Sequence, residues 1–173
     1  MIDFNRTYTE MKLTKKIPVW TLFTSVIFFI IGLTTFTQLL KLLEPTIEGI
    51  EFVITGRWTA FLFSLTLALI PILIFITWQL SGINQLYRKI SSISIIILTI
   101  AAALFARHQQ VKTFFIHVVK PLVLTNGKTH VIYPIDPRNF VYYLFGGLLT
   151  GCVLSNLIFR HYRFITGQHD VRI

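Results

Sequence analysis

The sequence predicts an all-α membrane protein, a four-span transmembrane helical bundle with a small extracytoplasmic β-hairpin cap. Four stretches hold no charged side chain: Ile17 to Leu40, Trp58 to Tyr87, Ile90 to Ala106 and Asn139 to Phe159. Each is near or above the length of about 20 mostly apolar residues with which a helix crosses a hydrocarbon layer. Composition agrees: 54% hydrophobic residues and a mean hydropathy of +0.69 exceed a soluble domain, whose apolar share is usually about 45 to 50%. Outside the spans, Asn126-Gly127 lies between two β-prone runs and is the dipeptide that best suits a two-residue type I′ turn.

At 173 residues the chain has room for one polytopic unit. Its spans are expected at about 17-40, 58-80, 90-107 with an extension to 120, and 139-159, with the hairpin over 121-138. No second folded domain fits, so a soluble activity would belong to a partner. The first run is 24 residues long and lacks a small-residue cleavage pattern, which makes it a retained span rather than a signal peptide. Cys152 is the single cysteine, lies in the last run and packs as a small hydrophobe, which excludes quinone-linked thiol chemistry.

Positive charge sets the expected orientation. Arg6, Lys12, Lys15, Lys16, Arg88, Lys89, Arg160, Arg163 and Arg172 share one side, nine against the seven of Lys41, Arg57, Arg107, Lys112, Lys120, Lys128 and Arg138. Three lysines precede the first span and one follows it, and first spans often dominate topology. Both termini are thus expected in the cytoplasm, in a multi-pass protein of the bacterial inner (cytoplasmic) membrane.

Taken in order, the first sixteen residues place Phe4, Tyr8 and Met11 at helical spacing, with Thr7 and Glu10 at capping-box spacing. A short interfacial helix and a frayed polar terminus fit equally. Span one carries Thr21, Thr24, Ser25, Gly32 and Thr35, small or hydroxylated positions that let helices approach in lipid. Trp20 and Trp58 suit the interfacial aromatic belt. Ile50 to Thr55 has strand composition and offers the hairpin a third strand. Pro71 in span two removes a backbone hydrogen bond and usually bends a helix, although neighbouring helices make it tolerable.

The short link Ser81 to Lys89 predicts that spans two and three are antiparallel neighbours. Beyond Ala106 the stripe Val111, Phe114, Phe115 and Val118 carries span three on to Pro121. From Ile90 to Lys120 that helix is ~46 Å long against ~30 Å of hydrocarbon. The hairpin follows, Leu122 to Thr125 and Lys128 to Tyr133. In span four Gly147, Gly151 and Ser155 form a small-residue ridge for close helix packing, either within one chain or between copies. The tail from Arg160 is basic.

The four apolar runs contain no Asp, Glu, Lys, Arg or His, the groups on which intramembrane catalysis and proton relays depend, so the chain is not expected to be an enzyme. No cofactor is expected: His108, His117, His130, His161 and His169 all lie outside the runs, which argues against bis-histidine haem. His117, His130 and Asp136 could be imagined as metal ligands, but no ligand spacing supports them. A hydroxyl-lined channel through span one is an alternative. The segment from Arg107 to Arg138 has five cations against Asp136 alone. Lys112, Lys120, Lys128 and Arg138 make an outer binding surface for anionic lipid head groups, a nucleic acid or an acidic protein, or else a solubilising rim.

The segment Leu124-Thr125-Asn126-Gly127-Lys128 through Arg138 into Phe140-Val141-Tyr142-Tyr143-Leu144 resembles in layout the colicin A-type immunity proteins. That resemblance implies an inner-membrane protein that blocks a pore-forming bacteriocin through helix contacts. Size and topology also resemble the membrane subunit of the Kiwa antiphage defence system, which implies an oligomeric membrane sensor working with a cytosolic, nucleic-acid-binding partner. The expectation is a non-enzymatic homo-oligomeric sensor or scaffold in membrane lipid. Its outer face binds something, and Arg160, His161, Arg163 and Arg172 hold the cytosolic partner. Direct nucleic-acid binding by this chain is not expected.

Overall fold

The computed structural model describes residues 18–43, 50–54, 57–121, 131–135 and 137–166. Helix α1 spans Val19–Leu43 and strand β1 Ile50–Ile54, followed by α2, Arg57–Ser81. Helix α3 begins with Leu86–Phe114, passes through a π-helical turn at Phe115–Val119 and ends at Pro121. Strand β2, Val131–Ile135, precedes α4, Arg138–Thr166. Four of these helices are long and apolar enough to cross a membrane, and the protein is membrane-embedded.

Local chemistry explains where the helices begin and end. Pro18 precedes α1 and its carbonyl accepts the Thr21 N–H at 2.9 Å, while Pro137 does the same for Phe140 at 3.0 Å ahead of α4. At the other end of α2, Gly82 takes a φ of 63°, a left-handed conformation that costs glycine nothing. Its N–H donates to Gln79 and that of Ile83 to Trp78, the paired bonds of a Schellman motif. The hydroxyls of span one turn back on their own helix: Thr24 donates to the Trp20 carbonyl at 2.7 Å, Ser25 to Thr21 at 2.9 Å and Thr35 to Ile31 at 2.7 Å. In hydrocarbon, where water cannot serve, each polar group needs such a partner.

The helices form the row α1, α2, α4, α3, with α2 and α3 meeting only marginally. This corrects the expectation that the short link makes them neighbours. A link fixes where the chain re-enters, not what a whole helix packs on, and α4 offers the better surface to both. Leu148 and Cys152 of α4 join Ile96 of α3, and Ile70, Leu73 and Ile74 of α2 pack against them. Nearer the strands, Phe36 and Leu40 of α1, Phe63 of α2, and Phe140, Val141 and Leu144 of α4 form a second core. Helix α2 runs unbroken through the half-buried Pro71.

The β-hairpin cap is a second correction. Strands β1 and β2 pair in parallel, Ile50 opposite Val131 through Ile54 opposite Ile135. The reason is topological: β1 feeds α2 and β2 feeds α4, these helices are adjacent and cross in the same direction, and so their entering strands run the same way. Both helices open on an arginine, Arg57 and Arg138, at the same distance beyond the paired strands. The chain therefore repeats one helix–strand–helix arrangement twice. Pro134 in β2 is compatible with a two-stranded sheet, where every strand is an edge. The proposed turn at Asn126-Gly127 and the first sixteen residues lie outside the described residues.

The extension of α3 reaches Pro121, but its stripe is shifted. Phe115 and Val119 are buried while Phe114 and Val118 are exposed. The π-helical turn widens the helix by a residue and moves the buried line on by one position.

Candidate functional site

The α3–α4 seam concentrates the features that could carry function. On α4, Gly147, Gly151 and Ser155 are buried at four-residue spacing, one above another on one face. All three meet α3. A Cβ on Gly147 would come within 2.9 Å of Ile100 Cα, and one on Gly151 within 2.8 Å of Ile96 Cα and against Thr99 Oγ1. The ridge is thus used inside the chain, which decides between the two expectations for it. One turn further, the Ser155 and Ser92 hydroxyls share a hydrogen bond of 2.7 Å, both side chains fully buried.

Other polar groups extend this seam toward the side where the chain links α2 to α3. Ser81 Oγ of α2 donates to Asn156 Oδ1 of α4 at 3.0 Å. Thr77 donates to the Leu73 carbonyl at 2.7 Å. The Lys89 ammonium lies 5.3 Å from the Trp78 ring centroid, a cation–π contact at that end of the bundle. The hydroxyl and amide groups among these are neutral and hydrogen-bonded, so they hold helices in register rather than supply an acid or base. Replacing Ser92 by alanine is expected to cost only about 0.6 kcal/mol, the usual worth of such a bond in a membrane, read as a small fall in melting temperature.

At the strand end, Arg107 is buried, 3% exposed, with its guanidinium 5.4 Å from the Phe140 ring of α4. Beyond it the Tyr143 hydroxyl donates to Gln110 Oε1. Sequence reasoning counted Arg107 with the exposed cations. Its burial was signalled by spacing, since Arg107, Val111, Phe115 and Val119 recur every four residues along α3.

The expected outer cations fall on two adjacent helices. Lys112 is exposed and Lys120 half-buried on the extension of α3, and Arg138 is exposed in the first turn of α4. Lys128 lies outside the described residues. At the opposite end, Arg160 and His161 are exposed on α4, Arg163 belongs to the same helix, and Arg172 lies outside the described residues. Pro71 is away from the seam on α2. His117 is exposed, and no three His, Cys, Asp or Glu side chains come together among the described residues.

No protein-family model, curated protein or solved structure matches this chain.

Proposed function

We propose that this protein is a non-enzymatic, oligomeric sensor or scaffold of the bacterial inner membrane that couples an extracytoplasmic surface to a cytosolic partner in antiphage defence. One observation carries the reading. Helices α3 and α4 both outrun the bilayer, α3 past Arg107 to Pro121 on the strand side and α4 past Arg160 to Thr166 on the other. At 34 residues the stretch Leu86–Val119 of α3 is ~51 Å long, against ~30 Å of hydrocarbon. Between these overhangs the two helices are joined nearly backbone to backbone at Gly147 and Gly151.

A pair locked in this way moves as one body, so a load on the α3 overhang is felt at the basic end of α4. Lys112, Lys120, Lys128 and Arg138 serve the outer contact, and Arg160, His161, Arg163 and Arg172 the inner one, with both termini in the cytoplasm. Packed cores change between discrete arrangements rather than deform continuously, which favours a rigid relay over a flexible one.

Gentle detergent purification followed by native mass determination tests this reading. The expected result is a homo-oligomer carrying a cytosolic protein, with Arg160→Glu/Arg163→Glu losing the companion and keeping the assembly. A monomer with no companion overturns it. Bacteriocin protection that survives removal of the tail but is abolished by exchanging apolar span residues would instead establish the immunity role.

A further inference from the structure

The membrane-facing side of the α3–α4 pair carries a groove of about 410 Å³. Its walls include Ala102 and Ala103 of α3 and Tyr142, Tyr143, Gly146 and Thr150 of α4. Ala102, Tyr142, Gly146 and Thr150 are exposed, so the groove opens toward the bilayer rather than into the bundle. It exists because α4 turns small residues both ways: Gly147 admits α3, while Gly146, next to it, faces open space with nothing within 4 Å of where its Cβ would be. The Tyr143 hydroxyl is engaged by Gln110, which leaves a lining that is almost wholly hydrocarbon.

We infer that this groove holds one acyl chain of an anionic phospholipid whose phosphate meets Arg138. Charge selects that occupant. Arg138 is exposed one turn before Tyr142 on the same face of α4, at the strand-side end of the groove, where a head group belongs when its chain lies along the span. This assignment does not need the sensor reading, in which Arg138 is one of four outer cations, and would hold equally for an immunity protein.

The test is native mass spectrometry of the full chain released from nanodiscs of phosphatidylglycerol or of phosphatidylcholine. The wild type is expected to retain phosphatidylglycerol in at least tenfold preference. Gly146→Leu fills the groove from a position with open space around it, so it should melt no lower than the wild type and lose retained lipid at least tenfold. Thr150→Leu provides the same blockade from the deeper end should Gly146→Leu fold poorly. Arg138→Gln should equalise retention of the two lipids without emptying the groove. Undiminished retention in the filled variants, or a preference unchanged by Arg138→Gln, overturns the assignment. A filled variant that drops to a smaller assembly would give the groove to a second copy of the chain.

Discussion

Gly151→Leu is expected to keep α3 and α4 from closing and to leave little folded protein in detergent. The obstacle is backbone. A Cβ at this position would lie 2.8 Å from Ile96 Cα, closer than real carbon contacts, and also meets the Thr99 hydroxyl, which is held by the Ile95 and Ile96 carbonyls at 3.0 and 2.8 Å. No rotamer change relieves a clash with Cα, so the helices must separate. Overfilling a packed site by single methylenes typically costs about 1–3 kcal/mol. Gly151→Ala should fall in that range despite a gain of up to about 1 kcal/mol in helix propensity, and leucine adds three further carbons to the same space. Gly146→Ala is the matched control: with open space around it, it should gain the propensity term alone. Thermal melts in one detergent compare the three. Equal melting temperatures for Gly151→Ala and Gly146→Ala would show that α3 and α4 do not meet at this ridge.

That ridge also shows how far the sequence could be read. Gly147, Gly151 and Ser155 announce close packing by spacing alone, because small residues in lipid have little other use. Their partner was not legible, since the same pattern suits any helix, including one from a second copy. It became legible only when Ser92, Ile96 and Ile100 of α3 were found opposite. The four spans were plain because lipid imposes one demand on every residue of a span. Strand direction was not, because it follows from which helices are neighbours, and that is decided by contacts between residues far apart in the chain. The turn signal at Asn126-Gly127 is local and says nothing about the partner of Val131–Ile135. A non-local clue did exist: Ile54 and Ile135 each stand three residues before an arginine that opens a helix. Read as a repeat, that spacing would have placed the two strands side by side in parallel.

The π-helical turn at Phe115–Val119 breaks the constant phase of 3.6 residues per turn and puts Val119 rather than Val118 on the buried line of α3. Arg107 lies two turns before it, in regular α-helix, and is buried by its own register. Counting every four residues from Arg107 puts the arginine itself on the buried line, over the ring of Phe140. The outer cationic surface consequently loses one of its apparent members to the interior. Among the described residues, what remains, Lys112 and Lys120 on α3 and Arg138 on α4, is divided between the two helices that the seam joins.

Phe63→Ala should destabilise the bundle by about 2–3 kcal/mol and loosen α1 in particular. Phe63 is 2% exposed, with its ring 5.2 Å from that of Phe36 on α1 and 5.7 Å from that of Phe140 on α4. It is therefore a contact that α1, α2 and α4 share. In a soluble protein, truncating such a ring costs about 3–5 kcal/mol, part of it for transfer from water. Here the transfer part largely vanishes, because lipid tails are as apolar as the core. The cavity remains, and a void of roughly 100 Å³ at about 24 cal/mol per Å³ gives about 2.4 kcal/mol. Phe61 tests this separation of terms on the same helix, being half exposed and meeting Phe29 edge-on at 5.7 Å. Phe61→Ala opens no enclosed void and should lose only the aromatic contact, about 0.5–1.5 kcal/mol. Melting both variants in one lipid composition measures the difference. If Phe61→Ala proves as costly as Phe63→Ala, enclosed packing at the three-helix junction is not what holds α1 in place.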